Sequence, residues 1–131
     1  MSRRLHIFLA LASAFLANAA SPAAAQIITE RYDGVYLGAA TLSSELSHGA
    51  CPRLPLTRLE IRNGILRAYD EGGRQSVKGI MTGDGFFNAD YIFPDGRATR
   101  FEGIVDRQGR LTGGVVDGGC IWVVELSKET R

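Results

Sequence analysis

His48, with Ser43, Ser44 and Ser47 close by, is where a nucleophile and its base would first be sought in this 131-residue chain. A Ser–His pair works only when the imidazole is held against the hydroxyl and a third group orients the ring. Here the residues are neighbours in one polar stretch, "SSELSHGACPRLP" (43–55), with no identifiable orienting acid, so the pattern predicts a solvated loop histidine. The other histidine, His6, lies in an apolar leader. Carboxylates such as Asp84, Asp90, Asp95 and Glu102 fall at turns or on outward strand positions. Two of them could act as acid and base only at a separation that spacing along the chain does not set. Cys51, Cys120 and His48 lack zinc-ligand spacing, and the Asp-Gly turns lack the EF-hand loop pattern. No metal, cofactor or catalytic residue is expected. Arg58, Arg62, Arg67, Arg97, Arg100 and Arg110 stand on strands or beside turns, some alternating with Glu60 and Glu102. Cross-strand ion pairs account for them, and a carboxylate- or phosphate-binding patch is the sharper alternative.

The compartment follows from the first residues. "MSRR" is basic, "LHIFLALASAFLA" is apolar, and "NAASPAAAQ" supplies small residues with Ala-x-Ala spacing. This is the pattern of a secretory signal peptide over 1–25, cut after Ala25, with a cut after Ala19 as the alternative. What remains, 26–131, is about 106 residues, the size of one domain. Without Arg3 and Arg4, 13 of the 15 basic residues stand against 14 acidic ones. Near-zero net charge argues against nucleic acid and against a polybasic membrane contact, and after Ala25 no apolar run is long enough to span a bilayer as a helix. In an exported chain an even count of cysteines reads as a disulfide, here Cys51–Cys120. The expected location is the periplasm or the medium.

The elements that must carry these residues are strands. Turn signals recur at Asn63-Gly64, Glu71-Gly72-Gly73, Gly83-Asp84-Gly85, Pro94-Asp95-Gly96, Arg107-Gln108-Gly109 and Asp117-Gly118-Gly119. Glycine, Asn and Asp accept the positive φ of tight hairpins. Between the signals, apolar and polar residues alternate. Phe87, Ala89, Tyr91 and Phe93 share one side of "FFNADYIF", and Leu59 and Ile61 share one side of "TRLEIR". The predicted strands are 32–42, 55–62, 65–70, 75–82, 86–93, 97–106, 110–116 and 119–127. With tight turns at all connections but 43–55, they must run as an antiparallel meander.

"VKGIMTGDGFFNA" (77–89) aligns with "FEGIVDRQGRLTG" (101–113), so one hairpin unit recurs, with a weaker copy at 60–68. The stretch 95–113 resembles one unit of the MORN repeat, a likeness of about twenty residues between hairpins. The opening "YDGVYLG" (32–38), the mid-chain cysteine, the Gly-x-hydrophobic hairpins and the late "GGC" resemble the small secreted single-disulfide β-domain proteins of proteobacteria. That resemblance implies an exported β-domain and no activity.

The cysteines decide the architecture. Both fall at the same end of the meander, Cys51 before the second strand and Cys120 in the eighth. In a flat sheet six strand spacings would hold them roughly 30 Å apart, and a disulfide needs Cα atoms within about 7 Å. The fold class is therefore all-β, an eight-stranded up-and-down meander closed into a small barrel, with a folded β-sandwich as the alternative. Gly79, Gly103 and Gly113 fall within strands on the side of Val77, Phe101, Leu111 and Val115. No helix follows them to make a phosphate cradle. They leave room for Phe87, Tyr91, Phe93 and Trp122. Ile80, Phe86, Ile92, Ile104, Val116, Ile121 and Val123 face the other way, so a second packed layer or a partner must account for them.

Three functions are compatible with this plan. The first is a non-enzymatic protein-binding module, inhibitor-like or envelope-associated, contacting an unknown protein in the cell envelope or medium through a loop containing Ser47, His48 and Arg53. The second is a small-ligand carrier in a miniature calycin-like barrel lined by Tyr36, Phe87, Tyr91, Phe101 and Trp122. The third is a hydrolase using His48.

Overall fold

The computed structural model describes residues 30–45 and 50–130. The signal peptide over 1–25, Ser47 and His48 lie outside the described residues. Eight antiparallel strands form one sheet closed on itself: β1 Gly34–Glu45, β2 Arg58–Arg62, β3 Ile65–Tyr69, β4 Gln75–Met81, β5 Phe86–Ile92, β6 Ala98–Val105, β7 Arg110–Asp117 and β8 Cys120–Lys128. Each strand pairs with the next in sequence, and β8 returns to β1 from Tyr36↔Lys128 to Glu45↔Cys120. The expected barrel is present and the folded sandwich is not.

Register explains both the closure and the filling of the barrel. From Gly34 the ladder runs through Ile61, Leu66, Gly79, Ala89, Phe101, Val115 and Trp122. It meets β1 again at Leu42, eight residues along from Gly34. That stagger tilts the strands, and an eight-stranded barrel of this kind is just wide enough for side chains to fill it. The recurrent hairpin unit obeys the same stagger: Ala89 pairs with Gly79 on one side and with Phe101, two residues before Gly103, on the other.

Alternation holds along β2, β3 and β5–β8, while β1 exposes Leu37, Gly38 and Ala39 in succession and β4 buries Ser76 and Val77 together. Leu59, Ile61, Leu66, Ala68, Val77, Phe87, Tyr91, Phe101, Leu111, Val115, Trp122, Val124 and Leu126 form one buried cluster. Polar and charged residues occupy most of the outward positions between them. This arrangement is the reverse of a membrane barrel, whose lipid face is apolar. The β2–β3 hairpin uses Asn63 and Gly64 at φ 51° and 74°, as a two-residue turn with two positive φ angles requires.

Two short segments stop the barrel ends, and neither belongs to a strand. At one end, the chain between β1 and β2 buries Leu54 and Leu56, and Thr57 accepts a hydrogen bond from the Gly38 N–H at 3.0 Å. The Trp122 Nε1–H donates to the Pro52 carbonyl at 3.1 Å. β1 therefore runs on to Glu45 and β2 begins only at Arg58, where the sequence predicted strands ending at 42 and starting at 55. The second half of the polar loop is an apolar stopper. At the other end, Tyr32, predicted as strand, sits in a turn ahead of β1 and lies against Gly85. The Asp33 carboxylate accepts from the Asn63 N–H at 2.8 Å and the Gly64 N–H at 3.3 Å, fixing that turn to the β2–β3 hairpin.

The Tyr36 hydroxyl donates to the Tyr32 carbonyl at 2.6 Å inside this second stopper. Burial, with Asp33, Tyr32 and Asp106 nearby, pushes its pKa up to about 12 from 10.0. The unfolded chain releases that proton at lower pH than the folded chain, so it binds fewer protons and stability falls with rising pH. The contribution is complete below about pH 10 and is lost as pH climbs through about 12. In urea titrations across that window the wild-type midpoint should drop steeply. Tyr36→Phe should drop less steeply, starting about 1 kcal/mol lower at neutral pH for the lost hydrogen bond. Parallel curves for the two proteins would assign the alkaline transition to other groups.

Candidate functional site

The predicted interior residues are all buried. Tyr36, Phe87, Tyr91, Phe101 and Trp122 are each at most 3% exposed. Phe87 meets Phe101 edge to face at 4.9 Å, Tyr91 meets Phe93 at 5.1 Å, and Phe93 lies 6.3 Å from Trp122. Of the strand glycines expected to make room for these rings only Gly113 does so, while Gly79 and Gly103 admit the close approach of Ala89 and of neighbouring-strand backbone. A Cβ on Gly113 would stand 2.7 Å from Phe101 Cε2 and 2.9 Å from Phe87 Cζ. The disulfide is formed between Cys51 and Cys120, with Cα atoms 5.6 Å apart. Arg53 is exposed at that end, beside the buried Leu54, and the two other residues of the expected binding loop are outside the described region.

The turn carboxylates serve the backbone. Asp70 accepts from the Arg74 N–H at 2.9 Å and from Arg74 Nε at 3.1 Å, and the backbone contact, more than the guanidinium, holds its carboxyl below the usual range. Asp95 is lowered for the same reason by the Arg97 N–H at 2.9 Å. Asp106 accepts from Gln108 and Arg110. Among the described residues no three His, Cys, Asp or Glu side chains gather as a metal would require.

Among the arginines the expected cross-strand pairing is found at Arg97, whose partner Asp117 ends the neighbouring strand β7, and is corrected at Arg62 and Arg100. Arg62–Glu60 at 3.1 Å and Arg100–Glu102 at 4.0 Å are pairs along one strand, not across strands. Alternating charges two apart sit on the same face of the same strand, so they reach each other without a neighbour. Arg97 lies over the Phe93 ring at 4.6 Å and pairs with Asp117 at 2.5 Å and Asp95 at 3.5 Å, closing over the disulfide end.

What remains unexplained by folding lies on the outer wall of β3–β6. Arg67 stands directly opposite Lys78 in the β3–β4 ladder, Lys78 opposite Asp90, and Asp90 opposite Arg100. Like charges opposite each other destabilise a sheet. Among the described residues no carboxylate comes within ion-pair distance of Arg67 or Lys78. One step along the strands, Ile65 stands opposite Ile80, with Phe86 diagonal to Ile80 and opposite Ile104. Ile80 is 59% exposed and Phe86 56%. Tyr69, 58% exposed, bounds the row on the other side. Ile65, Ile80 and Tyr69, with the charged row, line a groove of about 920 Å³.

Ile80, Phe86, Ile104 and Arg67 were legible as outward-facing, and Val116 is exposed as well. Ile92, Ile121 and Val123 are half-buried on the outer wall. Ile65, Tyr69 and Lys78 were missed, although each occupies an outward position in a strand that the sequence predicts. The signal that would have found them is the β3–β4 register. The chain matches no protein family, no curated protein and no solved structure.

Proposed function

We propose that this chain is a non-enzymatic binding module of an oxidising compartment, periplasmic or extracellular, that docks a protein partner on the outer wall of β3–β6. One observation carries the reading: exposed Ile80, Phe86 and Tyr69 flank two cations set directly against each other, Arg67 and Lys78, neither within ion-pair distance of the carboxylate, Glu60 or Asp90, that stands opposite it on its other side. Exposed aromatic and aliphatic side chains beside arginine are the composition of interface centres. The face is built on strands, so a partner meets a surface that is already ordered. A disulfide and a leader with signal-peptide character support export. The packed interior favours this reading over a small-ligand carrier, because the ring positions a ligand would take are filled by Phe87, Phe101 and Trp122.

A photoreactive benzophenone side chain placed at position 80 or 86 should give a discrete cross-linked protein adduct in the cells that make the chain. The same group at Ala39 or Glu125, exposed on the opposite wall and paired with each other, should give none. Equal adducts from both walls, or none from either, would remove the outer face as the site.

A further inference from the structure

Resting on that reading of the face, we infer that its ligand is an extended peptide segment carrying two acidic residues four positions apart, with a basic residue midway. The argument is the order of charges along one outward row: Arg67 on β3, Lys78 on β4, Asp90 on β5 and Arg100 on β6. Neighbouring strands are about 4.8 Å apart. From the midpoint between Arg67 and Lys78, Asp90 is therefore about 7 Å away and Arg100 about 12 Å. In an extended peptide, side chains on one face recur about every 7 Å, and every second one of these about every 14 Å. A segment laid across the strands thus puts its first carboxylate between Arg67 and Lys78, its central ammonium at Asp90 and its last carboxylate within reach of the long Arg100 side chain. The first carboxylate sits between the two cations, which Glu60 and Asp90 face only from their outer sides and beyond ion-pair distance, Glu60 being paired with Arg62.

The same row sets the selectivity. Asp90 repels an acid at the central position, so a uniformly acidic run is disfavoured against the alternating one. Glu102 pairs with Arg100 only at 4.0 Å and on an exposed surface, and yields to an incoming carboxylate at little cost. Apolar residues flanking the charged triplet meet Ile65 and Ile80 on one side of the row and Tyr69 on the other.

The test uses three synthetic peptides added to the ¹⁵N-labelled protein at low salt, with amide shifts as the readout. One carries glutamates four apart with a lysine midway, one is its composition-matched isomer with the glutamates adjacent, and one has three glutamates at alternate positions. The alternating peptide should shift amides around Arg67, Lys78, Asp90 and Arg100 and bind about fivefold more tightly than its isomer, the scale of two or three exposed ion pairs. Added salt should erase the difference. Lys78→Glu should abolish the preference. Asp90→Asn should bring the triacidic peptide up to the alternating one. Equal binding of all three peptides to wild type, or shifts confined to another wall, would overturn the inference. So would a polyuronate that shifts the row at lower concentration than any peptide, since the anion would then be a glycan. In each of these cases an adduct at position 80 or 86 with a protein would leave the docking face standing and only its peptide chemistry wrong.

Discussion

Replacing Cys51 and Cys120 together by serine should lower the unfolding free energy by about 4 kcal/mol, the chain-entropy value for a loop of this length. The bond joins residues 69 apart in sequence. For a domain whose net stability is on the order of 5–15 kcal/mol, that is a large share. The loss should not fall evenly. β8 is held to β1 by a ladder from Tyr36↔Lys128 to Glu45↔Cys120, so the barrel stays shut without the sulfur bond. The segment between β1 and β2 has no such ladder. Its ties are the disulfide, the Trp122 contact with Pro52, the Gly38 contact with Thr57, and the burial of Leu54 and Leu56. Amides of Arg53, Leu54, Leu56 and Thr57 should therefore exchange faster in the serine variant by a larger factor than those of β1 and β8. Trp122 emission should move to the red as the stopper loosens above it. Dithiothreitol-treated wild type should reproduce both changes. A serine variant with an unchanged urea midpoint would show that the ladder alone sets the stability.

The closure was legible because a covalent constraint is global: two cysteines at one end of a meander forbid a flat sheet whatever the register. The interior was legible because alternation is local, and Phe87, Ala89, Tyr91 and Phe93 fall on one side of any strand they form. The docking face was not, for a different reason. Whether Arg67 faces Lys78 and Ile65 faces Ile80 depends on how the Asp70–Arg74 turn closes, and a bulge between Ala68 and Tyr69 shifts the ladder there. A one-residue change in that turn would put other side chains together. The stoppers were hidden for a third reason. Leu54, Leu56 and Tyr32 are buried by the open ends of a closed barrel, and no periodic pattern in their own segments records an end. The along-strand ion pairs show the limit of pattern reading most plainly: the alternation of Arg and Glu was visible, but which of two neighbours a side chain reaches is settled only by rotamer and distance.

Phe101→Ala should cost about 3–5 kcal/mol, the range for deleting a buried aromatic ring, and its coupling to the glycines tests how the interior is filled. Phe101 is fully buried, with Phe87 4.9 Å away at its edge and Gly113 beneath both rings. Gly113→Ala puts a methyl group 2.7–2.9 Å from the two rings and from the Glu102 carbonyl, and should cost about 1–3 kcal/mol as overpacking. With Phe101→Leu in place the added methyl has somewhere to go. The double variant should then lose at least about 0.5 kcal/mol less than the two single changes together. Gly103→Ala offers the contrast. Its methyl would run into the Thr112 carbonyl and the Gly113 Cα, which are backbone, so trimming Phe101 should not rescue it. Additive losses for Phe101→Leu and Gly113→Ala would mean that the rings are not what excludes a side chain at 113. The cavity left by Phe101→Ala carries the same logic to function. It is apolar and bordered by Phe87 and by Val115, the ladder partner of Phe101, so it should stay dry and admit a small aromatic probe such as benzene, with a rise in thermal midpoint that wild type does not show. A wild-type barrel that took up the probe equally would contain space that Phe101 does not fill, and the choice of an outer face over an inner pocket would reverse.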